Sequence, residues 1–82
     1  MDTLNTAYVR EGYITWNRGE GRPDIRYRDG SCYGGLHCGD TFEAFIYNSW
    51  HPTRIEYCHS SRSWYLTGFE NYESIFRLTV RN

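Results

Sequence analysis

Two runs rich in aromatic and β-branched residues, Thr41–Tyr47 and Trp50–Tyr57, are separated only by Asn48-Ser49. Successive side chains of a strand point to opposite faces, so two such runs around a small polar pair read as an antiparallel hairpin. A two-residue turn at Asn48-Ser49 pairs Tyr47 with Trp50, Phe45 with Pro52, Glu43 with Arg54 and Thr41 with Glu56. The opposite face then carries Phe42, Ala44 and Ile46 against Ile55, Thr53 and His51, and this is the predicted core face. A slip of one residue would bury Glu43 and Arg54, so the pattern specifies which face is inside.

The flanking segments continue in the same style. Gly12–Trp16 reads as a strand, Asn17–Pro23 as a loop with two glycines and a proline, and Asp24–Arg28 as a strand of period two. Asp29-Gly30 is a turn signal. Cys32–Cys38 holds Gly34-Gly35 and reads as a connector. After the polar loop Cys58–Ser63 comes Trp64–Phe69, with Trp64 and Leu66 inward. Ile75–Val80 is the predicted closing strand, with Phe76, Leu78 and Val80 inward. No helical periodicity of useful length appears. The fold predicted is all-β: a small SH3-like barrel, or a strongly twisted antiparallel sheet of five to six strands. Residues 1–11 form an N-terminal arm or short strand and 12–82 a single small barrel domain.

A chain of 82 residues has a thin core, and aromatics at 18% must supply much of it. Net charge is −1, so no global field draws the chain to nucleic acid or anionic lipid. All nine basic residues are arginine, a residue enriched with Tyr and Trp at binding hot spots. No apolar run spans a membrane, and Met1–Asn5 lacks a basic-then-apolar leader. With three cysteines, an odd count, the reading is a cytoplasmic protein with free thiols.

Gly34-Gly35-Leu36, Cys38-Gly39-Asp40, Phe42-Glu43, Trp50, Thr53–Tyr57, Trp64–Gly68 and Leu78–Arg81 together resemble a family of very short bacterial proteins of unknown function. The resemblance covers about the last 50 residues, and more loosely Asp24-Ile25-Arg26. It implies a setting in mobile elements and prophage-like regions, and it supplies no catalytic residue. The Cys58–Ser63 loop and the segment before the last strand depart from the family pattern.

Cys32, Cys38, Cys58 and His59, with His37 or His51 as substitutes, have the residue types of a zinc site but not its close pairing of ligands. No cofactor or metal is predicted. Catalysis is not predicted either: no Cys–His pair carries a local signature, and Glu43 is explained by Arg54 opposite it. The predicted binding surface is the outer face of the hairpin, Phe45, Tyr47 and Trp50, with Tyr65 on the next strand and Arg54 and Arg62 at its edge. An apolar patch of that kind marks an interface. The function predicted is a non-enzymatic protein-interaction module whose partner is a host protein or a second copy, for example a phage or mobile-element accessory or anti-defence protein. The alternative is a nucleic-acid-binding barrel that holds single strands on Arg26, Tyr27 and Arg28.

Overall fold

The computed structural model describes residues 9–82 and shows one sheet of six antiparallel strands. They are β1 (Glu11–Asn17), β2 (Arg22–Tyr27), β3 (Thr41–Ile46), β4 (Ser49–Cys58), β5 (Ser63–Leu66) and β6 (Thr79–Arg81). Their order is β2-β1-β6-β3-β4-β5, and there is no helix among the described residues. The all-β prediction holds, but the sheet does not close into the SH3-like barrel. β2 and β5 end it, and closure would require these two strands to pair. The open sheet is the form adopted. Of the predicted N-terminal arm, Met1–Tyr8 lie outside the described residues. Arg10 exchanges backbone hydrogen bonds with Asn82 (2.9 and 3.1 Å), and Glu11 already belongs to β1.

The central hairpin forms with its faces as predicted and its register moved by two residues. Observed partners are Ile46–Ser49, Phe45–Trp50, Ala44–His51, Glu43–Pro52, Phe42–Thr53 and Thr41–Arg54. The turn is therefore Tyr47-Asn48, not Asn48-Ser49. Both residues lie in the left-handed region (φ 53° and 66°), the backbone that matches the twist of a two-residue hairpin. A shift of two preserves the alternation, so Phe42, Ala44, Ile46, Thr53 and Ile55 remain buried. It does dissolve the predicted Glu43–Arg54 pair. Glu43 instead meets Arg81 on β6 (2.6 Å), and Arg54 meets Glu56 two residues along its own strand (2.7 Å).

The predicted closing strand is shortened by a bulge. Arg77 donates its backbone N–H to the Ile14 carbonyl (2.7 Å), while Ile14 donates to Leu78 (3.0 Å). Two residues thus face one, with Arg77 at φ 76°. The extra residue reverses the alternation upstream. Ile75 turns in (4% exposed), and Phe76, predicted inward, turns out (36%). Leu78 is half-buried against the core, and Val80 is fully buried. Leu66 is buried as predicted, with Trp64 partly buried beside it.

The Cys32–Cys38 connector covers the outer edge of β2. Tyr27 donates to Ser31, Tyr33 to Ile25 and Leu36 to Pro23, at 2.7–2.9 Å. An exposed ladder edge invites non-native pairing, and here the chain covers its own.

Val80 of β6 stands between Gly12 of β1 and Ala44 of β3. At Gly12 a Cβ would fall well inside contact with the Arg26 backbone carbonyl. Because backbone gives way poorly, Gly12→Ala should destabilise the fold by about 3 kcal/mol, read from the denaturant midpoint. A change below about 0.5 kcal/mol would mean that β1 and β2 sit further apart than this.

Candidate functional site

The bulge and the open edges together make a broad concavity among the described residues. Trp16 lies at the end of β1, on the same side of the sheet as Ile14. Tyr57 and Trp64 come from β4 and β5, and Phe76 from the bulged segment. These four rings surround a groove of about 840 Å³ with Ile75 among its lining. Arg22 and Arg62 line it too, with His37, Cys38, His59 and the single acid Glu73. Arg22, the first residue of β2, reaches across to Trp64 of β5, its guanidinium 6.0 Å from the ring centre. The groove is therefore the gap between the two strands that would have met in a closed barrel.

The rings meet in inclined pairs, edge to face for Trp16–Phe76 and Tyr57–His59 and tilted for Tyr57–Trp64. Trp16 and Phe76 lie 6.2 Å apart at 63°, Tyr57 and Trp64 5.0 Å apart at 60°, and Tyr57 and His59 5.0 Å apart at 83°. Such contacts bring the positive edge of one ring to the negative face of the next. The surface they leave is corrugated and suits a bulky apolar side chain.

The predicted binding residues are divided by the structure. Phe45 and Trp50 pack together on the outer face of the sheet (5.2 Å), and Arg54 and Tyr65 share that side. Arg81 lies over the Trp50 ring at 4.1 Å while bonding Glu43, so one face of that ring is already occupied. Tyr47 leaves this cluster, because it is a turn residue, 77% exposed and in edge contact with Tyr72 (6.1 Å). Arg62, at φ 54° in the β4–β5 loop, belongs to the groove.

The alternative face Arg26–Tyr27–Arg28 is not a single surface. Tyr27 points inward (5% exposed), its hydroxyl donating to Asn82 Oδ1 (2.9 Å) and its ring beneath Arg10 (3.8 Å). Arg26 and Arg28 are exposed, and Arg28 pairs with Glu11 (2.9 Å). Among the described residues no three His, Cys, Asp or Glu side chains are gathered closely enough to hold a metal ion. Cys32 and Cys38 are exposed; Cys58 is half-buried beside the Ser60 hydroxyl (3.3 Å).

Asp24 positions one wall of the groove, and nothing in its sequence neighbourhood marks it. It is fully buried, and among the described residues no guanidinium or imidazole pairs with it. Its Oδ1 accepts the backbone N–H groups of Ile25, Gly34 and Gly35 (2.8–2.9 Å), and its Oδ2 accepts Asn17 Nδ2 (2.8 Å). Gly34 and Gly35 turn those groups inward at φ 114° and 104°, which a side chain would strain. The connector that carries His37 and Cys38 is held on β2 by this carboxylate. Burial works against the charge, but the bonds from Gly35, Asn17, Ile25 and Gly34 outweigh it and hold the carboxyl below the usual range.

A model of the DUF5348 domain, a domain of unknown function, matches residues 12–81. The chain belongs to the DUF5348 family. Membership thus begins at Gly12, well before the stretch that carried the resemblance. The fold is also similar to the crystal structure of a structural-genomics protein from Ruminococcus gnavus. That protein is 41% identical, with a TM-score of 0.76 over 89% of this chain and 100% of the other. No curated protein matches the present chain.

Two outcomes follow from the polar groups. Asp24→Asn would set its amide against that of Asn17, whose Oδ1 is already engaged by Glu20 N–H (3.0 Å). Stability should fall by about 2–4 kcal/mol. The wild-type carboxyl titrates lower when folded than unfolded, so its contribution is complete above the unfolded value of about 4 and is lost as pH falls through the folded one. Acid unfolding of the wild type should therefore steepen below about pH 4, and the variant should lack that component. An equally steep acid limb in Asp24→Asn would assign the effect to other carboxylates.

Hydrogen bonds from Ser60 and Ser61 bring the Cys58 thiol from 9.0 to about 7. Iodoacetamide should accordingly modify Cys58 before Cys32 and Cys38 near neutral pH, because the thiolate is the nucleophile. Peptide mapping after limited alkylation reads this directly, and equal labelling of all three would refute it.

Proposed function

We propose that this protein is a non-enzymatic binding module that holds part of another protein in the groove between β2 and β5. The observation that carries the reading is convergence. Four rings and two guanidinium groups from separate elements meet at a concavity that no other described segment fills. Trp16 in particular remains 48% exposed, a large apolar surface with Phe76 as its one aromatic neighbour among the described residues. Aromatic residues and arginine in a recess are the usual anchors of protein interfaces. The outer hairpin face is weaker support for the same function, since Arg81 and Glu43 already engage each other and Trp50 there. In the mobile-element setting that the family resemblance implies, such a module would serve as an accessory or anti-defence protein by occupying a host protein's surface.

Nucleic acid is the lesser reading. The groove offers two guanidinium groups against one carboxylate, and its rings stand edge to face or tilted instead of in parallel platforms.

Trp16→Ala and Trp50→Ala separate the two faces. With tagged protein as bait and nuclease present, one partner should be retained by wild type and by Trp50→Ala and lost by Trp16→Ala. For that partner, once purified, Trp16→Ala should weaken binding about 30-fold, or about 2 kcal/mol. The melting temperature should move by no more than about 4–8 °C, the shift that about 1 kcal/mol gives a domain of this size. The opposite pattern of retention would move the site to the hairpin, and capture abolished by nuclease would favour nucleic acid.

A further inference from the structure

The groove lies against an unused strand edge. β5 is the last strand of the sheet, and no described strand pairs with its outer side. Thr67 donates its backbone N–H to Arg54 (2.9 Å), which fixes the alternation of the ladder. Tyr65 then directs its backbone groups to β4, and Trp64 and Leu66 direct theirs outward. The Leu66 carbonyl is taken by Phe69 N–H (2.9 Å). The Trp64 N–H and carbonyl and the Leu66 N–H have no partner among the described residues' turn and loop bonds. Trp64 is also the residue whose side chain enters the groove. A backbone laid along β5 would therefore direct alternate side chains into it.

Charge narrows what that backbone can carry. Arg10, Arg28, Arg54 and Arg81 form ion pairs with carboxylates. Arg22 and Arg62, the two in the groove, form none among the described residues; Arg22 donates instead to the Leu36 carbonyl (3.1 Å). Glu73 is the sole acid in the lining. In a chain of net charge −1 this recess thus gathers two guanidinium groups without ion pairs against one carboxylate, while Arg18, Arg26 and Arg77, also without ion pairs among the described residues, lie outside its lining. A second copy is disfavoured as occupant, because it would bring the same guanidinium groups back to the same place. Nucleic acid makes no use of the unpaired ladder.

Resting on the binding reading above, we infer that the occupant is an extended acidic segment of another protein that adds to β5 as a seventh strand. One of its apolar side chains would sit among Trp16, Tyr57, Trp64 and Phe76, and its carboxylates would meet Arg22 and Arg62. Main-chain bonds would supply affinity and the alternate side chains specificity, as in other strand additions.

Selection from a displayed library of random peptides of about 12 residues, on the full chain, tests this. Enriched peptides should be acidic, with apolar residues two apart. Arg62→Gln should weaken a synthesised winner about tenfold, and Arg26→Gln, outside the groove, should leave it unchanged. N-methylation of the winner's amides one at a time should reduce binding only at every second position, and exchange of the Trp64 and Leu66 amides should slow in the complex. Winners with no acidic excess, or indifferent to Arg62→Gln or to N-methylation, would overturn the inference. If such winners still required Trp16, the groove itself would stand. Winners requiring Trp50 and not Trp16 would sink both readings. Failure to enrich any peptide would also overturn the inference, and tight binding of an oligothymidylate in its place would name nucleic acid as the ligand.

Discussion

Gly12, Val80 and Ala44 lie side by side on β1, β6 and β3, and along this row the two halves of the sheet are joined. On one side β1 and β2 form a hairpin; on the other, β3, β4 and β5 form a meander. Among the described strands only β6 hydrogen-bonds to both, and it is three residues long. The small neighbours Gly12 and Ala44 leave room for Val80 to reach full burial between them. This joint is non-local, since it brings the last residues of the chain to positions near residues 12 and 44. Pairings of that kind carry a large loop-closure cost that only the finished core repays. The end of the chain is fastened accordingly. Arg81 bonds Glu43 and covers Trp50, and Asn82 receives the Tyr27 hydroxyl.

The open gap is a consequence of that joint. With β6 inserted between β1 and β3, the strands β2 and β5 become the two ends of the sheet. β2 has its outer edge taken by the connector, fixed through Asp24. A buried carboxylate without a cation would ordinarily be costly, and here four hydrogen bonds to its two oxygens offset the lost hydration. The same bonds press Gly34-Gly35 against β2 and set His37 and Cys38 at the rim of the groove. The chain thus spends its conformational freedom on one edge and leaves the other unpaired.

Much of this was legible in the residues, for identifiable reasons. Parity along Phe42–Ile46 and Thr53–Ile55 predicts the core face, and parity survives a two-residue error in register. What the residues hide is which pair makes the turn. Tyr47 is a poor candidate for a left-handed backbone, yet Tyr47-Asn48 is the turn. The bulge at Arg77 is equally silent, and it exchanges Phe76 for Ile75 in the core. Trp16 could have been found, because it shares the parity of Ile14 and Gly12 and lies beyond the end of their packing. Asp24 could not, since its partners come from a segment whose path is set only by tertiary contacts. Tyr27 was separable from Arg26 and Arg28 by alternation alone.

The displacement of the candidate site from the hairpin to the gap follows from how each face settles its own interactions. On the outer face Trp50 has Phe45 at its edge and Arg81 above it, and Arg81 and Arg54 each have a carboxylate. A partner docking there would have to displace bonds that already exist, so the net gain would be small. In the groove the balance differs. Arg62 has no carboxylate among the described residues, Trp16 keeps nearly half its surface in water, and the β5 ladder ends without a neighbour. Interactions left unmade within the chain are the ones that association can gain. In a sheet this small, whose other edge is covered by its own connector, the unpaired β5 ladder and the exposed Trp16 ring lie together at one recess, and the proposed binding reading rests on that coincidence.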